Sequence, residues 1–300
     1  MHSYLFPLTG TCNWQHLLAR IKQSSHGAFY RAKDGRLGCP LRLGQQSYFV
    51  EVAPTDDQAH WQVQIHQGDQ SLEAAATKAL RHLFALDVDL SAFYQHSRHD
   101  PHLADITEQL SGARMVRDRD PFTSVISSII SQQLNLAFAA TLKRRLWLIA
   151  GQPLQVEGEQ LYADPTPEAI ARLDYTTLRN MQYSQRKAEY VIDFARAVVD
   201  GRFSLERLAE LDDEEAIAYL SSQRGVGRWT AECVLLFGLG RPDLLPAKDV
   251  GLQRAVERCY RLPHRPDEQE IRQLAASWHP WSSWYTYYLW LSLAYLPDSQ

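Results

Sequence analysis

The stretch that decides the fold is Leu220-Ser221-Ser222-Gln223-Arg224-Gly225-Val226-Gly227-Arg228-Trp229-Thr230-Ala231, residues 220–231. Two glycines flank an apolar valine between two segments of helical composition, which predicts a hairpin that joins two helices. The second helix is expected to begin at about Arg228, so unpaired N–H groups would face outward where a phosphate can approach the main chain. The glycines alone leave a second interpretation open, a helix–turn–helix connection that binds nothing.

A carboxylate follows this hairpin in the sequence. Asp249 lies 22 residues after Gly227 (249 − 227), directly before an apolar helical run that starts at Val250. One interpretation is an ordinary helix N-cap, for which Asp is a favoured residue. The other is a carboxylate held at a fixed place beside the hairpin for chemistry, and the spacing alone does not choose between them.

The chain divides into two parts of different periodicity. Residues 1–105 contain both strand and helix patterns. Strands are predicted from the alternation in Trp61–His66, the apolar segment 48–52 and the turn-rich segment 31–43, and a helix is predicted over 72–86. Residues 106–300 are expected to be almost entirely helical, without a strand pattern. A helix starts at Asp120-Pro121, and others are predicted at 136–150, 166–171, 174–180, 185–199, 205–210, 214–220, 228–237, 250–259 and 267–293, the last broken at Pro280.

Composition narrows the class of protein. The 300 residues are 45% hydrophobic and 22% charged, which is typical of a globular chain and excludes general disorder. No apolar run reaches the length of a membrane span, and no secretory signal is evident at the N-terminus, so we predict a cytoplasmic protein. The four cysteines are too far apart in sequence for a CxxC pair, which disfavours a structural zinc site. The net charge of −4 means that an anionic partner would need a local basic surface.

A third segment, Ile129-Ile130-Ser131-Gln132-Gln133, completes a family resemblance. Together with the hairpin and Asp249 it resembles the helix–hairpin–helix superfamily of base-excision DNA glycosylases, in the branch of 3-methyladenine DNA glycosylase II. Lys187 within Ser184–Tyr190 and the pair Pro280-Trp281 are supporting matches. The resemblance implies a mainly α fold with two helical subdomains over 106–300 and a smaller N-terminal α+β domain over 1–105 that contains an antiparallel sheet.

The resemblance also implies the residues of an active site. Asp249 stands where the family keeps its catalytic aspartate, and Gln133, with Leu134 beside it, matches the position that enters the DNA. The positions that match or neighbour the base pocket are Trp229, Trp281, Tyr285 and Cys233. The alternative for the C-terminal tryptophans is that they form core, which we favour for Trp284 and Trp290.

Binding of the DNA backbone is expected at the hairpin. The residues implied are Arg224, Gly225, Gly227, Arg228 and Lys187 for phosphate, and the main-chain carbonyls of Ser221, Gln223 and Val226 for a monovalent cation, Na⁺ or K⁺. No cofactor is expected for catalysis. For each cationic side chain the alternative is a solvated surface charge.

Three departures from the family pattern bear on the reaction. The Schiff-base lysine of lyase-active relatives is replaced by Trp229, the iron–sulfur cysteines of the endonuclease III branch are missing, and Arg224 stands where many hairpins have Pro. Lys248, adjacent to Asp249, is the candidate for a substitute nucleophile.

We therefore predict a monofunctional glycosylase for alkylated purines, acting as a monomer on damaged double-stranded DNA and associated with the nucleoid if the source is bacterial. The preferred damaged base stays open. The alternatives are an oxidised-purine glycosylase of the same superfamily and a non-catalytic DNA-binding module.

Overall fold

The computed structural model describes residues 1–23 and 29–296. Its N-terminal part contains an antiparallel five-stranded sheet in the order β1-β5-β4-β3-β2. The strands are β1 (His2–Pro7), β2 (Arg31–Lys33), β3 (Arg36–Leu43), β4 (Gln46–Pro54) and β5 (His60–Ile65). Trp61, Val63 and Ile65 are buried in β5 because alternate residues of a strand share one face. The predicted antiparallel sheet is confirmed.

Helices make up most of the chain. Four belong to the N-terminal part: α1 (Trp14–Gln23), α2 (Glu73–Leu83), α3 (Ser91–Ser97) and α4 (Pro101–Gln109). The others are α5 (Pro121–Ser131), α6 (Leu136–Ala150), α7 (Pro167–Ala171), α8 (Tyr175–Asn180), α9 (Gln185–Val199), α10 (Asp213–Ser221), α11 (Arg228–Val234), α12 (Val250–Cys259), α13 (Glu268–Leu274) and α14 (Ser282–Tyr295). Residues 105 and 106 lie inside α4, so the predicted domain limit falls within a helix. No helix in the described ranges is long and apolar enough to cross a bilayer.

The expectation of an uninterrupted helical region after residue 106 is wrong. Strands β6 (Pro153–Val156) and β7 (Glu159–Tyr162) pair as an antiparallel hairpin. Its two turn residues, Glu157 and Gly158, have positive φ angles of 49° and 84°, as a tight hairpin turn requires. The strands are four residues each and largely exposed, so they lack the apolar alternation that reveals a strand in a sequence.

Two predicted helices are shorter than expected. Segment 205–210 contains only a 3₁₀ turn, Glu206–Ala209, and helix α11 continues into a π-helical turn over Leu235–Leu239 instead of staying regular to 237. The predicted break at Pro280 is confirmed, because α13 and α14 are separate helices there.

Helix α14 packs against the segment that follows α4. Tyr287 and Tyr288 are buried and donate hydrogen bonds to the carbonyls of Arg114 and Ala113, at 2.6 and 3.1 Å. Arg114 is itself only 2% exposed, and its guanidinium donates to the carbonyls of Ala85 and Val88. These contacts satisfy polar groups inside one continuous core and fix α14 against the N-terminal part.

Candidate active site

The predicted hairpin lies between α10 and α11. Gly225 has φ +88°, and a Cβ there would lie 2.3 Å from the ring of Tyr190, so this position requires glycine. Gly227 is the N-cap of α11 with φ −96°, and a Cβ there would meet nothing within 4 Å. Gly227 is exposed, so its main chain is accessible from solvent.

The turn that precedes α12 brings Asp249 close to α11, the helix that follows the hairpin. It is the N-cap of α12, and its Oδ1 accepts the N–H of Leu252 at 2.8 Å. Two indoles also donate to the same carboxylate: Trp229 Nε1 to Oδ2 at 3.2 Å and Trp290 Nε1 to Oδ1 at 2.9 Å. The interpretation of Asp249 as a helix N-cap is therefore confirmed, and its carboxylate also lies beside α11. Three N–H groups in all donate to this carboxylate.

The other predicted pocket residues have different surroundings. Cys233 is buried, and burial together with the charge of Asp249 raises the pKa of its thiol well above the ordinary value, which keeps the thiol neutral. Trp281 is half-buried, with its ring 6.0 Å from that of Phe93 on α3.

The assignment of Tyr285 to the pocket is corrected by the structure. Its side chain is 1% exposed, its ring packs 5.0 Å from Phe93, and its hydroxyl is hydrogen-bonded to Nδ1 of His96 at 2.7 Å. Tyr285 is thus a core residue rather than a wall open to a base.

The segment predicted to enter DNA is an exposed turn between α5 and α6. Gln133 lies at its tip with φ +57° and an exposed side chain, and Leu134 is half-buried. Leu136, which the sequence did not single out, is 79% exposed. The side-chain amide of Gln132 donates to the carbonyl of Gly225 at 2.8 Å and to the hydroxyl of Thr230 at 2.9 Å. Gln132 therefore ties the turn to the hairpin.

Lys187 does not have the free ammonium predicted for phosphate binding. Its Nζ donates to the main-chain carbonyls of Ile129, Ile130 and Gln132 at 2.9, 2.7 and 2.6 Å. The last carbonyls of a helix have no partner within the helix, so a buried ammonium is well placed to satisfy them. Burial lowers the pKa of Lys187 to about 8. This lysine holds the end of α5.

The two hairpin arginines are exposed but paired. Arg224 lies 2.7 Å from Glu189, and its guanidinium stacks over the ring of Tyr190. Arg228 binds Glu214 at 2.5 Å and Glu232 at 3.0 Å. A phosphate at either guanidinium would share it with these carboxylates or displace them.

Trp290 is the site residue that sequence reasoning missed. Its place in the apolar run 287–296 indicated core, and it does stack on Phe237, with ring centroids 5.8 Å apart. No signal in the sequence shows that its indole N–H meets a carboxylate 41 residues earlier.

The described residues contain no group of three or more His, Cys, Asp or Glu side chains arranged to hold a metal ion. The ammonium of Lys248 is 3.2 Å from the carboxylate of Glu268, and its side chain is 62% exposed.

Two family models match the chain. One, described as HhH-GPD superfamily base excision DNA repair protein, matches residues 126–280. The other, 8-oxoguanine DNA glycosylase, N-terminal domain, matches residues 12–124. The first match contains the turn after α5, the hairpin and Asp249, and the second contains strands β2 to β5 of the sheet.

Several proteins of known name are similar to most of the chain. A DNA-3-methyladenine glycosylase of Bacillus subtilis (strain 168) is 33% identical over 213 residues, 71% of this chain and 70% of that protein. DNA-3-methyladenine glycosylase 2 of Escherichia coli (strain K12) is 29% identical over 286 residues, 95% of this chain and 96% of that protein. The solved structure of a 3-methyladenine DNA-glycosylase from Archaeoglobus fulgidus has a TM-score of 0.86 at 25% identity and covers 97% of this chain and 99% of its own.

Proposed function

The chain belongs to the HhH-GPD superfamily of base excision DNA repair proteins, and on that premise we propose that it is a DNA glycosylase that hydrolyses the N-glycosidic bond of alkylated purines. The observation that carries the proposal is the carboxylate of Asp249, held by three N–H donors next to the hairpin helix. A residue that only capped α12 would need one of them.

We expect the carboxylate of Asp249 to assist cleavage of the N-glycosidic bond. The transition state of N-glycosidic hydrolysis resembles an oxocarbenium ion, so an anion beside the sugar stabilises the positive charge that develops there. An alkylated purine is already cationic and leaves without protonation, so a second carboxylate is not required. The faces of Trp229 and Trp281 attract a cationic base over a neutral one.

The target nucleotide has to leave the duplex before it reaches Asp249. The nucleotide leaves a gap in the stack of bases. We propose that Gln133, at the exposed tip after α5, fills this gap together with the adjacent Leu134. Because Gln132 bonds to Gly225, insertion of the tip and binding at the hairpin are mechanically linked. Amides at Gly225 and Gly227 then position the backbone, which fixes register without reading sequence.

A monovalent cation at the hairpin fits the same scheme. The carbonyls of Ser221, Gln223 and Val226 would hold it, and oxygen ligands suit a hard cation. The Gln223 carbonyl already accepts the N–H of Val226 at 3.0 Å, so its second lone pair would serve the ion.

We further propose that the enzyme hydrolyses the base without a lyase step. The position of the lyase lysine is Trp229, Lys187 is bound to three carbonyls, and Lys248 is paired with Glu268. Borohydride should therefore trap no covalent complex on damaged DNA. A trapped adduct that disappears in Lys248→Ala would overturn this part of the proposal.

An oxidised-purine glycosylase is the second candidate, because the N-terminal family model is that of 8-oxoguanine DNA glycosylase. Incubation of the protein with methylated and with oxidised duplexes, followed by chromatography of free bases, separates the two. Release of 3-methyladenine supports the first candidate and release only from oxidised DNA supports the second. Retained binding without release of any base would indicate a DNA-binding module.

Asp249→Asn tests the catalytic assignment. Asn caps helices about as well as Asp, so the fold and DNA binding should persist, whereas single-turnover base release should fall by on the order of 100-fold. The loss should be smallest for 3-methyladenine and largest for a neutral base such as hypoxanthine. Asp174→Asn, the same exchange at the exposed N-cap of α8, should release bases at the wild-type rate. Wild-type release by Asp249→Asn would leave Asp249 as a cap only.

A further inference from the structure

The two oxygens of Asp249 have different surroundings. Oδ1 accepts two hydrogen bonds, from the Leu252 amide at 2.8 Å and from the Trp290 indole at 2.9 Å. Oδ2 accepts one bond from the described residues, the longer contact of 3.2 Å with Trp229. A carboxylate oxygen has two lone-pair sites, so Oδ1 is saturated and Oδ2 keeps capacity for a further partner.

The contact between Trp290 and Asp249 depends on close packing. The Trp290 ring is stacked on Phe237, with an interplanar angle of 15°. Gly251 lies beside the contact, and a Cβ there would be 2.9 Å from Oδ1 of Asp249 and 3.3 Å from Nε1 of Trp290. Glycine in the first turn of α12 is a weak helix former, so its presence there favours the close approach over helix stability.

Helix capping does not require this indole, since the Leu252 amide alone completes the N-cap. We propose that Trp290 is a positioning residue for the reaction proposed above: its N–H fixes Oδ1, so that Oδ2 is the oxygen that faces the sugar. The inference rests on the proposed function.

The test compares Trp290→Phe with Trp284→Phe in two measurements at pH 7: single-turnover release of 3-methyladenine and affinity for the damaged duplex. Trp284 is a buried tryptophan of the same helix whose ring contacts Phe93 and Tyr287, so its variant measures the cost of losing a core indole. Trp290→Phe should slow release at pH 7 by on the order of 10-fold, since bonds to charged groups are the strong ones. Its affinity for the damaged duplex should stay at the wild-type value, because the lost bond orients an oxygen for the reaction, whereas Trp284→Phe should release the base at the wild-type rate.

Gly251→Ala supplies a second route that does not remove core volume. Its methyl group would push Oδ1 and the indole apart, while alanine favours the helix, so the fold should persist. The same slower release with unchanged affinity for the duplex is expected, and this variant decides if Trp290→Phe does not fold. Wild-type rates, or slower release matched by weaker binding of the duplex, in the folded variants would overturn the role of Trp290 alone. A wild-type protein that releases no alkylated base would overturn the proposed function and this inference with it.

Discussion

Gly227 is the residue at which the hairpin can be probed without disturbing the fold. A Cβ at Gly227 meets no atom within 4 Å, whereas one at Gly225 would collide with Tyr190. If the hairpin amides hold phosphate, Gly227→Ala should weaken binding to damaged and undamaged duplex alike, because phosphate contacts carry no sequence information. Fluorescence anisotropy with both duplexes measures this. Unchanged affinity of Gly227→Ala for both duplexes would show that the hairpin is not part of the DNA interface.

The end of helix α5 depends on one lysine. Lys187→Met keeps the aliphatic stem but leaves three helix-terminal carbonyls without their donor, so the free energy of unfolding should fall by on the order of 1–3 kcal/mol. Urea denaturation measures the loss. Arg186→Met, the same charge change at the exposed neighbour on α9, should have wild-type stability.

DNA binding distinguishes this structural role of Lys187 from a phosphate contact. Because its ammonium is already bound to carbonyls, the salt dependence of binding should have the wild-type slope in Lys187→Met. If the slope of log binding constant against log salt concentration fell by about one in Lys187→Met and the stability were unchanged, Lys187 would contact phosphate as the sequence predicted.

The start of helix α5 makes stability depend on pH. Asp120 is the N-cap of α5, and burial together with the charge of Asp164 raises the pKa of its carboxyl to about 6. Between about pH 4 and 6 the folded state therefore binds more protons than the unfolded state, and the free energy of unfolding falls as pH rises through this window.

Asp120→Asn should remove that dependence while keeping the cap. At pH 7 the variant should be more stable than the wild type. Asp174 caps α8 through the corresponding pair of bonds, from the amide and the hydroxyl of Thr177, and these bonds lower the pKa of its carboxyl. Asp174→Asn should therefore lose stability at pH 7. Thermal unfolding at pH 4 and pH 7 checks both signs. Parallel pH profiles for wild type and Asp120→Asn would refute the assignment.

On the scale of the whole molecule, the net charge of −4 is distributed so that cations of the proposed DNA face are paired with carboxylates. Ion pairs connect Arg228 to Glu214 and Glu232, and Glu232 to Arg272. If this face binds DNA, phosphates should compete with the protein's own carboxylates for these cations, and binding to undamaged duplex should be weaker as a result.

Glu214→Gln tests this competition. Loss of the exposed carboxylate releases Nη1 and Nη2 of Arg228, while its Nε stays bonded to Glu232. The affinity for undamaged duplex should therefore rise several-fold, and the salt slope should steepen by about one. Glu210→Gln makes the same change in net charge at an exposed residue that has no ion pair with Arg228, and it should bind with the wild-type slope. Equal effects of both variants would show that net charge, and not the ion pair between Glu214 and Arg228, changes the affinity for DNA.

The sequence by itself determined the hairpin, the helix starts and the position of Asp249. These features depend on local rules: Gly225 because its backbone needs φ > 0, Asp249 because it precedes a helical run, and Pro280 because proline interrupts a helix. Each can be recognised within a few residues of sequence. The sheet of the N-terminal part was predicted for the same reason, from alternation within one strand.

Only the tertiary structure decided what the side chains contact. Lys187 was expected at phosphate and caps α5, Tyr285 was expected in the pocket and lies in the core, and Trp290 was expected in the core and bonds to Asp249. Each of these partners lies 41 or more residues away in sequence, and no periodicity encodes which of two buried groups meet. Long-range packing and the need to satisfy buried donors and carbonyls settle those contacts.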